Sequence, residues 1–278
     1  MAGEALTEHG RPDDDFVIGQ GWDRYSAQDH ETWRMLYDRQ SALLPGRACD
    51  AYLDGLTALS LGAGGIPDFA RASDILDRAT GWRIVAVAGL VPDDVFFWHL
   101  ANGRFPVTNW IRAPEAMDYL REPDVFHDFF GHVPMLTNPV FADYLRAYGR
   151  GGLKALGLGA LGYLARLYWY TVEFGLIRTH DGLRIYGSGI VSSRTETVWC
   201  LESPAPNRFA FDLLRIMRTD YRIDDLQQVY FVIDDFEQLF AATRPDFTPY
   251  YEMLKPRSDH TPETVLDTDV PVAPNPAG

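Results

Sequence analysis

The 278-residue chain is nearly free of cysteine: it has two, Cys49 and Cys200, 151 positions apart. That excludes a disulfide framework and a cysteine-rich zinc site. No uninterrupted run of about eighteen apolar residues occurs, which excludes a transmembrane helix. The first residues are acidic and polar, without the basic patch and apolar stretch of a secretion signal. Cytoplasmic residence with no membrane partner is therefore expected. Positive charge is scarce as well. Twenty-five Lys and Arg against 39 Asp and Glu leave a net charge of −14, with no Lys/Arg-rich segment. Such a field repels a phosphate backbone and argues against nucleic acid as a partner.

What is present is an ordinary globular composition, 46% hydrophobic and 23% charged, over a length that suits one large domain or two small ones. Residues 1–15 hold five acids and two glycines and are expected to be disordered. Residues 256–278 carry five of the 18 prolines and read as an extended, unpacked, disordered tail. Residues 16–255 show no linker, repeat or low-complexity break and are expected to form one domain.

Helical spacing of apolar residues is clearest in residues 26–44, where Trp33, Leu36, Tyr37 and Leu43 line one face before Pro45-Gly46. Similar patterns lie near 48–60, 68–79, 92–101, 138–148, 161–178 and 206–218, and β-prone runs at 82–88, 184–186 and 229–233. Many helices and few strands predict a mainly α fold with a few short β-strands. Gly157-Leu-Gly159-Ala-Leu-Gly162 satisfies a dinucleotide-binding pattern, but that motif needs a strand just before it. The Gly-rich segment 147–156 offers none, and is expected to be a flexible connection into the next helix.

Two segments carry groups suited to chemistry. In Glu122-Pro-Asp-Val-Phe-His127-Asp-Phe-Phe-Gly-His132-Val-Pro134, two of the seven histidines stand five apart. Imidazole nitrogens are good ligands for iron or zinc. Residues five apart diverge on an ideal α-helix, so both face one ion only if the backbone departs from it. Gly131 and Pro134 supply a reason for departure. The alternative is two ordinary helix histidines. The second segment, Leu167-Tyr-Trp-Tyr-Thr-Val-Glu173-Phe-Gly-Leu-Ile177, contains one charged group among apolar ones. A lone buried carboxylate costs several kcal/mol unless it is paired or bound to a metal. Arg166 or Arg178 offers an ion pair; His127 and His132 offer a shared metal. Two His and a carboxylate suit non-haem Fe(II) or a catalytic zinc.

The segment Pro123-Asp-Val-Phe-His127-Asp128-Phe-Phe-Gly131-His132-Val-Pro134 resembles the signature of the pterin-dependent aromatic amino acid hydroxylases. Residues 104–112, 168–176 and 186–193 resemble the same family, in the same order, and the likeness spans roughly residues 20–250. It is strongest to the bacterial phenylalanine-hydroxylating members. The resemblance implies the family's catalytic-domain fold, Fe(II), a tetrahydropterin such as tetrahydrobiopterin as two-electron donor, and dioxygen divided between pterin and substrate. By analogy His127, His132 and Glu173 ligate iron, and Arg112 holds the substrate carboxylate. Gly189 and Ser192 complete the amino acid pocket; Trp169, Phe174 and Pro123 wall the substrate ring. Phe96 stacks on the pterin, with Phe97 the rival one position along, and Asp128 and Tyr168 lie near iron and pterin. Two departures fall beside the substrate: Arg194-Thr195 before Glu196, where many members carry Gly, and Ser188, where Ala is frequent. The implied reaction is L-phenylalanine to L-tyrosine by a monomer. Its rivals are meta-hydroxylation, a tryptophan or tyrosine substrate, and, more remotely, a zinc hydrolase or a non-enzymatic metal-binding protein.

Overall fold

A computed structural model describes residues 12, 14–60, 64–118 and 122–275. Three helices open the chain: α1 (Ala27–Leu43), α2 (Asp50–Ala58) and α3 (Phe69–Thr80). Ser26 and Asp29 cap α1 reciprocally, which starts it where the sequence predicts. Strand β1 (Arg83–Val87), helix α4 (Asp93–Ala101) and strand β2 (Arg104–Thr108) follow, and the two strands pair in parallel. The next 50 residues hold a π-helix π1 (Phe126–His132), a 3-10 turn Val133–Thr137 and helix α5 (Pro139–Gly157).

Helix α6 (Leu161–Tyr168) runs into a second π-helix, π2 (Trp169–Glu173), and the hairpin β3 (Leu176–Thr179)–β4 (Gly182–Ile185). The chain continues through α7 (Ser188–Val191), α8 (Arg194–Glu202), β5 (Asn207–Ala210), α9 (Leu213–Met217), β6 (Val229–Ile233), α10 (Phe236–Thr243) and α11 (Thr248–Leu254). A four-stranded sheet orders as β4-β3-β6-β5, antiparallel at the hairpin and parallel elsewhere. The mainly α expectation with short strands holds. Among the described residues no helix is long and apolar enough to cross a membrane.

Four sequence expectations need correction. The Gly-rich stretch 147–156 is not a flexible connection but the continuation of α5. A Cβ added at Gly149 would lie 2.3 Å from Ala101 N, and one at Gly152 would lie 2.0 Å from the Phe97 ring. These glycines let α5 press onto α4, and the turn comes later, at Gly159 with φ +62°. The helix expected over 161–178 changes character at Trp169 and gives way to β3 at Leu176. Residues 206–218 contain β5 before the short α9, because the sheet edge captures Asn207–Ala210.

The tail expected to be unpacked is ordered as far as it is described. Ala210 N donates to Val270 O and Val272 N to Arg208 O, so the tail lies along the β5 edge, where proline is tolerated. Asp269 pairs with Arg215 at 2.9 Å, both buried. Asn275 bonds the amide and carbonyl of Leu183 at 2.8 and 3.0 Å. Specific partners for backbone and charge outweigh the proline content. The expectation for residues 1–15 falls mostly outside the described residues.

Aromatic packing seats π1. Phe126, Phe129 and Phe130 are fully buried. Trp33 of α1 meets Phe126 edge-on at 5.2 Å, and Phe69 of α3 stacks on Phe129 at 5.7 Å. With that face committed to the core, the other face carries His127, Asp128 and His132.

Candidate metal centre

Both halves of the site are helical stretches widened from i+4 to i+5 bonding. In π2 the amide of Phe174 donates to the carbonyl of Trp169 at 2.9 Å. In a π-turn, residues five apart lie nearly over one another. The gap between His127 and His132, which would separate them on an α-helix, therefore brings them to one face. The sequence-based reading rightly required a departure from α geometry but attributed it to Gly131 and Pro134. Pro134 instead lies in the 3-10 turn beyond. Gly131 serves packing: a Cβ there would lie 2.9 Å from the carbonyl oxygen of Ser188.

One ligand atom each from His127, His132 and Glu173 lies within 4.8 Å of the others. Glu173 Oε1 is 3.0 Å from His132 Nε2, and Oε2 is 3.6 Å from His127 Nε2. Neither candidate arginine reaches this carboxylate: Arg166 pairs with Asp220 and Asp259, and Arg178 with Asp234. Burial alone would raise the Glu173 carboxyl. The two imidazoles and a hydrogen bond from Ser188 outweigh it and bring the pKa down to about 2. The carboxylate is thus held ionised in a buried place, as a metal ligand must be.

His127 is oriented at both ends. Its amide donates to Asp124 Oδ1 at 3.0 Å, and its Nδ1 lies 3.0 Å from Ser192 Oγ. That contact leaves Nε2 for Glu173, an outer partner of the kind that fixes a metal-binding imidazole. His132 is buried against Phe105, ring centres 4.9 Å apart. Two imidazoles and an ionised carboxylate on a rigid frame fit Fe(II) of the two-His, one-carboxylate type, which leaves coordination positions open.

Arg112 is close to this centre but not free. Its Nε and Nη2 each donate to Asp124 at 2.8 Å, while Nη1 makes only a 3.4 Å contact to Met117 O. The fork expected to grip a substrate carboxylate is taken by Asp124. Burial works against the charged Asp124, yet the guanidinium holds its carboxyl below the usual range. Asp128 accepts from Thr108 N at 2.8 Å, and burial raises its carboxyl despite the two nearby imidazoles.

The aromatic residues sort into two groups. Trp169 and Phe174 lie 4.8 Å apart, and a Cβ on Gly189 would meet the Phe174 ring at 2.9 Å. Gly189 thus makes room for Phe174. Pro123 is half-buried, one residue before Asp124. On the other side, Phe96 meets Tyr168 edge-on at 5.9 Å, and Tyr168 lies 6.3 Å from the His132 ring. Phe97 is core, packed on α5, which leaves half-buried Phe96 as the aromatic that faces the site.

Sequence reasoning missed Asp124 as a partner, although an Asp three residues before His127 is a helix-capping pattern. It also missed Gln227, whose Oε1 accepts from Trp169 Nε1 at 2.9 Å across 58 positions. No local signal could have found that bond.

A model of the biopterin-dependent aromatic amino acid hydroxylases matches residues 22–255. The phenylalanine-4-hydroxylase of Ralstonia nicotianae is 68% identical over 240 residues, which cover 86% of this chain and 77% of the relative. That of Caulobacter vibrioides is 60% identical over 261 residues, 93% of this chain and 89% of the relative. The structure is similar to Chromobacterium violaceum phenylalanine hydroxylase with iron and phenylalanine bound. The TM-score is 0.90 at 59% identity, covering 94% of this chain and 96% of that one.

Proposed function

The chain belongs to the biopterin-dependent aromatic amino acid hydroxylases, and from that premise we propose that it hydroxylates L-phenylalanine at the para position to give L-tyrosine. Dioxygen is the oxidant and a tetrahydropterin the reductant. The observation that carries this reading is the convergence of His127, His132 and Glu173 from two π-helices onto one point. The names and 60–68% identities of the relatives support the substrate.

In this reading His127, His132 and Glu173 hold Fe(II). Iron and a tetrahydropterin, when bound there, would supply the oxygen activation and the electrons for the hydroxylation. The chain's own part is binding and orientation. Trp169, Phe174 and Pro123 wall the ring, and offset or edge contacts between aromatic rings hold it in register. Ser192 and Gly189 complete the pocket wall, and Ser192 also touches His127. Arg112 meets the substrate carboxylate with Nη1 and the outer hydrogens, since Asp124 occupies its fork. Phe96 offers a face to the pterin, Tyr168 stands between it and His132, and Asp128 lies near the two histidines. Glu173, with a carboxyl at about 2, stays an acceptor throughout the working range.

The test is a set of parallel incubations, each with Fe(II), tetrahydropterin, air and one of Phe, Tyr or Trp, with controls that omit iron or pterin. Products are separated against para- and meta-tyrosine, hydroxytryptophan and dopa. Para-tyrosine formed only with both iron and pterin is the expected result. Meta-tyrosine or hydroxytryptophan would overturn the substrate assignment and keep the chemistry. No product from folded, iron-loaded protein would overturn the function.

A further inference from the structure

Ser188 is fully buried, 1% exposed, at the start of the single-turn helix α7. Its Oγ lies 2.9 Å from Glu173 Oε2 and 3.1 Å from Val172 O. A hydroxyl has one hydrogen to give, and an ionised carboxylate is the stronger acceptor. The remaining contacts of the Glu173 carboxylate are with His127 and His132. Those nitrogens are the atoms a bound ion takes over. Ser188 is then the partner of Glu173 that stays after the ion binds.

The same turn reaches the first histidine. Ser192 Oγ donates to Ser188 O at 2.7 Å and lies 3.0 Å from His127 Nδ1. The carbonyl of Ser188 also abuts Gly131, immediately before His132. One helical turn therefore braces both ligand-bearing π-helices, and Ser188 is its contact with the carboxylate.

We propose that Ser188 is a positioning residue for the metal centre: its hydroxyl fixes the rotation of the Glu173 carboxylate and draws charge from Oε2, leaving Oε1 the better donor. The proposal rests on the reading that His127, His132 and Glu173 bind iron. It also gives a role to a side chain that stands where Ala is frequent in the resembled family.

The experiment uses the full chain stripped of metal and reloaded with Fe(II), or with Co(II) as a spectroscopic probe, without substrate or pterin. Dissociation constants come from chelator competition, and apo-protein melting is measured in parallel. Ser188→Ala should weaken metal binding about 10- to 100-fold, the usual effect of removing an outer partner of a ligand, and shift the Co(II) visible band. Ser188→Cys, similar in shape with a weak donor, should fall between. A merely structural role would lower the apo melting temperature and leave the cobalt band and metal affinity unchanged. That result, or constants within about twofold across all three proteins, overturns the proposal. Wild-type protein that binds neither ion stoichiometrically overturns the metal reading itself, and this inference with it.

Discussion

Both oxygens of Asp124 are engaged by one edge of the Arg112 guanidinium, Oδ2 by Nε and Oδ1 by Nη2, at 2.8 Å each. The side chains are 0% and 7% exposed. Removing one member of such a pair leaves a buried charge uncompensated, at about 3–5 kcal/mol. Arg112→Ala should therefore cost stability as well as substrate affinity, and Asp124→Ala should do the same without deleting the guanidinium. Urea unfolding and KM for phenylalanine, measured on both variants, check this. If Arg112→Ala raised KM with stability unchanged, the ion pair would carry no structural weight.

Alanine at His127, His132 or Glu173 should each abolish tight Fe(II) retention and reduce hydroxylation by at least about a hundredfold. The phenylalanine-rich face of π1 is untouched by these changes, so the proteins should stay folded. Iron analysis, circular dichroism and turnover separate the outcomes. A variant with near-normal turnover would remove that residue from the ligand set.

Glu196 gives a pH dependence of known sign. It is 4% exposed, and it accepts from Gln227 N at 3.1 Å and from Tyr230 OH. Burial is the main cause that raises its carboxyl to about 7 from the ordinary glutamate value of 4.5. The folded state then holds a proton that the unfolded chain has released between those two values. Stability from this group is complete below about 4.5 and is lost as pH rises to about 7, by about 3 kcal/mol at 1.36 kcal/mol per unit. Glu196→Gln, which cannot ionise, should flatten that decline and exceed wild type in stability above about pH 7. Urea midpoints at pH 5, 6, 7 and 8 for both proteins test it; parallel curves would show that Glu196 is already ionised in the fold.

How far the sequence reaches can be judged from these residues. Trp33, Leu36 and their capping pair Ser26 and Asp29 act within a few positions of each other, so α1 was legible. His127, His132 and Glu173 were legible because two imidazoles in one segment and a lone acid in an apolar one are local anomalies. The π-turns were not, because widening a helix by one residue leaves no compositional mark; only the five-residue spacing hinted at them. The ordered tail is not legible because its partners, Arg208, Ala210 and Arg215, lie 54 to 64 residues away. Arg112 was read as a free fork because nothing in the sequence says that Asp124 folds onto it.

Trp169 is restrained on three sides. Tyr221 stacks on it at 4.3 Å and 16°, Phe174 lies at 4.8 Å, and Gln227 Oε1 accepts from Nε1 at 2.9 Å. Gln227 is itself fixed, 4% exposed, with its side-chain amide donating to Arg222 O at 2.9 Å and its backbone carbonyl accepting from Trp199 Nε1 at 2.9 Å. Gln227→Met keeps the length and removes the acceptor, leaving a half-buried indole N–H unpaired at up to about 1–3 kcal/mol. If Trp169 walls the substrate ring, part of that loss appears in binding. KM for phenylalanine should rise by about 5- to 20-fold, where 1.4 kcal/mol is tenfold, with kcat changed less. The tilt freed in the indole should also raise turnover of tryptophan relative to phenylalanine. Steady-state kinetics on both amino acids, with melting curves alongside, decide the matter. A lowered melting temperature with both KM values and the Trp/Phe ratio unchanged would make Gln227 a strut of the fold and place Trp169 outside the ring-binding wall.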